Sequence, residues 1–265
     1  SHALAFILLA GLLGLIVGSF LNVVIHRLPI MMERAWLRQS REMLEPDSQL
    51  PAEPTFNIIL PHSHCPHCNT EIKAWQNLPV ISYLPAVEML TALLSMLVAW
   101  QFGFGWEAGA MLLLTWALIS LSLIDADTQL LPDAIVLPLI WLGLIVNSFT
   151  LFTDLQTALW GAVAGYLSLW LVFWAFKLAT GKEGMGYGDF KLLAMLGAWG
   201  GWQILPLTIL LSSLVGAILG IIILKTRGQS NATPLPFGPY LAIAGWIALI
   251  WGDTITGKYL QIAGF

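Results

Sequence analysis

The chain has 265 residues, 58% of them hydrophobic and only 10% charged, with a formal net charge of −4 and a mean hydropathy of +0.80. Charged residues make up about a quarter of an ordinary soluble domain, so a soluble globular fold is excluded, and a slightly acidic chain offers no basic field for nucleic acid. Many of the 13 Trp residues stand near the ends of apolar runs, as in the interfacial belts of a polytopic protein whose solvent is the lipid bilayer.

In chain order, the apolar runs predict an all-α protein of about eight transmembrane helices, at 3–25, 86–102, 108–124, 134–152, 156–176, 189–200, 203–224 and 237–251. The first run follows Ser1 with no basic n-region and no small-residue cleavage site, so it is read as a retained helix behind a trimmed or replaced start. Residues 1–25 are thus the first span, 26–85 a cytoplasmic loop region, and 86–265 a seven-helix membrane core. Within the loop, Met31–Leu44 is rich in Arg and Glu, with Trp36 and Leu37 spaced for an amphipathic helix lying on the headgroups. The proline-bearing stretch Glu45–Pro54 then reads as a connector.

Cys65-Pro66-His67-Cys68 holds the only two cysteines, which excludes a disulfide framework and leaves a metal or redox pair. Its spacing is that of a zinc knuckle, but a structural zinc site takes about four ligands and no second Cys-x-x-Cys follows. Three explanations stay open: a loop without metal, completion by His62, His64 or His67, or a chain that lacks a segment near Leu84-Pro85. The sixth span is too short to cross about 30 Å of hydrocarbon upright, so it is expected to begin inside a protein-lined, wetter cavity. With eight spans the loops alternate, and every Lys and Arg except Lys258 falls on one side, which the positive-inside rule makes cytoplasmic. Asp125 and Asp189 share that face.

These two residues carry the chemical signal. Asp125 ends the apolar run Met111–Ile124, and Asp189 closes the glycine-rich stretch Gly184-Met185-Gly186-Tyr187-Gly188-Asp189. A carboxylate at the mouth of a membrane helix is costly, and such groups pair, line a wet cavity or carry chemistry. Two of them at short range cannot both ionise; their pKa values split, so one can activate water while the other hydrogen-bonds a peptide carbonyl. Gly186 and Gly188, lacking Cβ atoms, permit unusual dihedrals and close approach to an extended substrate. The plainer alternative is that these glycines pack helices while the aspartates cap helix ends or pair with Lys191. Asn22 and His26, four apart on one helix face, and Glu88 at the start of the second span are either cleft-lining or ordinary packing and helix-dipole features. Asp127, Asp133 and Glu183 surround the dyad as an acidic cluster on an otherwise basic face.

Gly186-Tyr187-Gly188-Asp189, with Asp125 seven residues before Pro132-Asp133, resembles the GxGD aspartyl proteases of membranes. Three further motifs narrow the resemblance: Gly18-Ser19-Phe20-Leu21-Asn22-Val23-Val24-Ile25-His26-Arg27-Leu28-Pro29, Cys65-Pro66-His67-Cys68, and Pro85-Ala86-Val87-Glu88-Met89-Leu90-Thr91-Ala92. With them the chain resembles, over nearly its whole length, the bacterial type IV prepilin peptidases, or prepilin leader peptidase/N-methyltransferases. The resemblance implies a catalytic pair Asp125 and Asp189 in the bacterial inner membrane. It implies cleavage of basic leaders from prepilin and type II secretion pseudopilin precursors at the cytoplasmic face, then N-methylation of the new N-terminus with S-adenosyl-L-methionine as donor. The absent second Cys-x-x-Cys departs from the family pattern, and no strand-then-glycine signature for that donor is present. Gly186, Gly188, Asp127, Asp133 and Glu183 are expected to meet the substrate, the acids attracting the basic leader. A signal-peptide-peptidase-like protease, or a proton-coupled transporter using the two aspartates, are the alternatives; inverted repeats, which would favour a transporter, are not found.

Overall fold

A computed structural model describes residues 2–44, 56–59, 63–64, 71–72, 84–182, 184–227 and 236–263. The predicted all-helical membrane architecture holds, and the chain divides into two compact units, Ser1–Phe104 and Gly105–Phe265.

The first unit is built on α1 (His2–Leu44) and α2 (Leu84–Phe102). The two pack along a seam of small residues. A Cβ at Gly14 would lie 2.8 Å from the Ala92 Cα, and one at Gly18 would lie 2.7 Å from the Glu88 Cα, so these glycines let the backbones touch in a setting where packing, not water exclusion, joins helices. Thr91 and Ser95 bury their hydroxyls in the same seam by donating to the Val87 and Thr91 carbonyls, each at 2.7 Å.

The expected break near residue 25 is not there. α1 runs unbroken for 43 residues through Pro29, about 65 Å at ~1.5 Å per residue, roughly twice the hydrocarbon thickness. Its last turns are thus helical, as expected for Met31–Leu44, and follow the first span without a break. Proline removes one intrahelical hydrogen bond, but the Met, Glu, Arg, Ala and Leu residues beyond it are strong helix formers. Arg27 supports the exit from the membrane. Its guanidinium is buried and donates to the Asn57 carbonyl at 3.1 Å, while Arg34 stacks over Phe56 at 4.2 Å. Beyond Ile59, β1 (Ser63–His64) and β2 (Glu71–Ile72) form a two-residue antiparallel ladder. Cys65 and Cys68, between them in sequence, lie outside the described residues, as do His62 and His67.

The second unit contains α3 (Trp106–Thr128), α4 (Asp133–Ser148), α5 (Leu155–Thr180), α6 (Tyr187–Gly200), a single 3-10 turn Trp202–Ile204, α7 (Leu205–Arg227) and α8 (Gly238–Ala263). Among the described residues six helices are long and apolar enough to cross a bilayer: α1, α2, α3, α5, α7 and α8. The expected count of eight is thus not reached by length. α4 has 16 residues and α6 only 14; at ~1.5 Å per residue α6 spans about 21 Å. The short sixth element foreseen from the sequence is there, but it is enclosed by protein. Nearly every side chain from Asp189 to Trp199 is buried, the signature of a helix apolar on all faces and surrounded on all sides.

Small residues again set the packing distance. Gly161 on α5 and Gly197 on α6 face each other so closely that a Cβ on either would collide with the backbone of the other, and a Cβ at Gly165 would lie 2.6 Å from the Leu193 carbonyl oxygen. The four-residue spacing on both helices makes this a continuous seam. At the N-terminus of α5, the exposed Asp154 accepts from Thr157 at 2.9 Å, and this bonding holds its carboxyl below the usual carboxylate range.

Asn147 locks the far end of α6. Its buried side chain donates to the Ala198 and Trp199 carbonyls at 2.9 and 2.8 Å and accepts from the Phe152 and Thr153 amides. Asn147→Ala takes a partner from two buried carbonyls and two part-buried amides. It is expected to destabilise the protein by about 2 kcal/mol, read as a lowered thermal unfolding midpoint in detergent; an unchanged midpoint would assign the latch no role in stability.

Candidate active site

The site lies wholly in the second unit, where two helix ends meet. Asp125 sits in the last turn of α3 and Asp189 in the first turn of α6, and their side chains are only 5% and 6% exposed. The two carboxylates are near enough to interact electrostatically, although 63 residues separate them in sequence.

Local backbone features explain the convergence. α3 stops at Gln129, which takes the left-handed conformation at φ 56° and donates its N–H to the Asp125 carbonyl at 2.9 Å. Pro132 then caps the start of α4, so the chain reverses within a few residues of Asp125. Gly188 receives this reversal: a Cβ there would lie 2.8 Å from the Leu131 Cβ, so the missing side chain lets the turn after α3 settle on the first turn of α6. Gly186 precedes α6 at φ −79° and accepts from the Asp189 N–H at 3.3 Å. The unusual dihedrals anticipated for Gly186 and Gly188 are not observed; among the described residues the glycines at positive φ are Gly103, Gly181 and Gly201. What these positions supply is room.

Behind the dyad, rings brace the start of α6. Phe173 of α5 meets Tyr187 at 5.1 Å and Phe190 at 5.6 Å between ring centroids, and Tyr166 meets Phe190 edge-on at 5.9 Å. Edge-to-face pairs of this kind contribute beyond their area burial, and here they hold the turn that carries Asp189.

Sequence reasoning missed the closest partner of Asp125. The Gly238 N–H, at the first residue of α8, donates to Asp125 Oδ2 at 3.0 Å, and a Cβ on Gly238 would stand 2.6 Å from that oxygen. Gly238-Pro239 after a break is a helix-start signal, but a backbone donor has no side-chain signature, and its target lies 113 residues away.

The remaining acids divide. Asp127 is exposed on the last turn of α3. Asp133 accepts from Lys191 Nζ through both carboxylate oxygens at 2.8 Å, so the lysine weighed as a partner for the aspartates goes to Asp133 and ties α4 to α6 beside the dyad. Glu183 lies outside the described residues. No group of three or more His, Cys, Asp or Glu able to hold a metal occurs among the described residues.

Two buried carboxylates that interact electrostatically, each on a helix end and one held by a backbone donor, are the parts of a general acid–base pair. Comparison with known proteins points the same way. A family model for the type IV leader peptidase family matches residues 112–221, and one for the bacterial Peptidase A24 N-terminal domain matches residues 12–86. The chain is 64% identical to the prepilin leader peptidase/N-methyltransferase of Stutzerimonas stutzeri over 99% of this chain and 96% of that protein. It is 66% identical to the one from Pseudomonas aeruginosa, over 100% and 97%, and 49% identical to the one from Neisseria gonorrhoeae, over 93% and 91%. The first two alignments run to 283 and 284 positions, against 265 residues here, so those relatives carry residues with no counterpart in this chain. No solved structure matches.

Proposed function

Because the chain belongs to the type IV leader peptidase family, we propose that it is a multi-pass membrane aspartyl endopeptidase that removes leaders from prepilin and pseudopilin precursors and N-methylates the new N-terminus. The observation that carries the peptidase reading is the burial of Asp125 and Asp189 at two helix ends, near enough for their charges to interact. Of the pair, one carboxylate is ionised and takes a proton from water, whose oxygen bonds to the scissile carbonyl carbon. The other, protonated, hydrogen-bonds the carbonyl oxygen and then, as the tetrahedral carbon collapses and the C–N bond breaks, a proton passes to the leaving amine. No covalent enzyme intermediate forms. Gly186 leaves the substrate backbone room to lie along the start of α6, whereas the space at Gly188, expected to meet the substrate, is taken by Leu131.

In this reading the enzyme occupies the bacterial inner membrane with the dyad at the cytoplasmic face, where the excess of Lys and Arg supports the orientation. Residues 1–25 are its first span, 26–85 its cytoplasmic loop region and 86–265 its protease core. Methyl transfer draws on S-adenosyl-L-methionine as donor. The described residues form no cradle fitted to that cofactor: Gly184-x-Gly186-x-Gly188 follows the helix α5, not a strand, so no methyl-transfer step is derived from them. Cys65 and Cys68 supply two thiolates of a structural zinc set, which takes about four ligands.

A basic leader is drawn to Asp127, Asp133 and Glu183. Since Lys191 already offsets Asp133, Asp127 and Glu183 exert the larger share of this attraction, which fades beyond about 8 Å at physiological salt. The test is in vitro processing of a purified prepilin, with the shortened product and its labelled methyl group read by mass spectrometry. Cleavage at the leader junction is expected, with KM rising and kcat steady as salt is added, the pattern of lost uniform binding. A prepilin left intact would overturn the peptidase reading; a KM indifferent to salt and to Asp127→Asn with Glu183→Gln would move leader recognition elsewhere.

A further inference from the structure

The second unit leaves an apolar groove of about 390 Å³ between α5 and α7, with Tyr240 of α8 in its lining. Leu169 and Val172 form one wall, and Ile209, Ser213, Gly216 and Ala217 form the other. Met185 and Phe237 complete its lining. Both tie the groove to the catalytic centre: Met185 lies in the glycine-rich loop four residues before Asp189, and Phe237 adjoins Gly238, whose N–H holds Asp125.

Gly216 is not required there by the packing of the fold. A Cβ on it would meet Tyr240 and Phe237 at 3.6 to 3.9 Å, ordinary contact distances, and it has no positive φ. Glycine within a helix costs roughly 1 kcal/mol relative to alanine, so a glycine that internal packing does not need leaves space for something else. With Ser213 and Ala217 it gives α7 a face of small residues open toward the groove, the kind of surface on which a second helix backbone can lie close in a bilayer. From Ile209 to Ala217 the wall is about 12 Å long at ~1.5 Å per residue, enough for two turns of a helix.

We propose that this groove seats the first turns of the apolar helical segment that follows the leader in the precursor, so that its start is held beside Met185 and Phe237 with the scissile bond at Asp125 and Asp189. The proposal rests on the leader-peptidase reading and assigns the place where that substrate docks. Continuity decides the occupant. A lipid chain or a second copy of this chain has no need of a groove lined by the loop that carries Asp189, whereas a substrate cleaved just before an apolar helix must present that helix beside this loop.

The test uses the full-length protein in proteoliposomes with a prepilin. Ala217→p-benzoylphenylalanine, in the Asp189→Asn background that keeps the substrate uncut, is expected to photo-crosslink to the first turns of the prepilin's apolar segment. Gly216→Trp in the otherwise native enzyme is expected to raise KM about tenfold while kcat changes far less, the mark of lost ground-state binding. Leu214→Trp, 53% exposed on another face of α7, is expected to leave KM within about twofold. If Gly216→Trp fails to insert, Gly216→Leu fills the same space with less volume. Crosslinks confined to lipid or to a second enzyme copy, or absent, would overturn the docking proposal, as would a KM unchanged by filling the groove. Those results would leave the peptidase reading standing, provided that the native enzyme cleaves; an uncut prepilin with the native enzyme would remove both.

Discussion

Asp125→Asn and Asp189→Asn are each expected to lower kcat for leader cleavage by a factor of about a thousand or more, because general acid and general base each contribute roughly 10²- to 10⁴-fold and neither amide can take up the missing role. Both residues are buried side chains at helix ends, and Asn is close to Asp in volume, so helicity and the thermal midpoint are expected to stay near those of the native protein. Asp127→Asn is the internal comparison. It removes a carboxylate only two residues from Asp125, but an exposed one, and its effect is expected in KM. Initial rates on one prepilin across these three variants and the native enzyme separate the outcomes. Substantial turnover by Asp125→Asn or Asp189→Asn would exclude the two-carboxylate mechanism, and equal loss in all three would reduce the effect to surface charge.

Gly238→Ala should be nearly as damaging, although it removes no functional side chain. The added Cβ would stand 2.6 Å from Asp125 Oδ2 and 3.0 Å from its Cγ, closer than non-bonded atoms tolerate, so either the carboxylate or the start of α8 must shift. A shift at Asp125 breaks the 3.0 Å hydrogen bond that orients it, and misplacement of a catalytic group by about 1 Å can reduce rate by about a hundredfold. The loss is expected in kcat with KM largely held, since the residue acts through Asp125 and does not touch the leader. Gly109→Ala provides the control: it is also a helical glycine, but an added Cβ there meets nothing within 4 Å. If Gly238→Ala retains the native kcat, Asp125 does not depend on the start of α8.

Much of this was legible in the chain itself. The apolar runs marked all eight α-helices among the described residues, because burial in hydrocarbon demands a long apolar stretch with its backbone bonds satisfied internally. Asp125 stood out because it ends such a stretch with a charge, and Asp189 because it places one just before another; the room at Gly188, expected for substrate, is instead filled by Leu131. The short α6 was visible as a run too brief to cross upright. Local reading erred in equating the end of hydrophobicity with the end of a helix. The end of the first apolar run at residue 25 predicts the end of a helix, yet α1 continues, since the one hydrogen bond lost at Pro29 is outweighed by the helix formers that follow.

Pairings were decided only by tertiary structure. Lys191 could have answered any nearby acid, and the relative register of α4 and α6 gave it to Asp133. Gly161 and Gly197 were two unremarked glycines until α5 and α6 brought their backbones together. The sequence by itself determined which residues carry the charge and where the helices lie, because hydrophobicity and ionisation are properties of each residue. What holds Asp125 in place is a backbone N–H that every residue but proline possesses, so only the packing of α8 against α3 could select Gly238 as its donor.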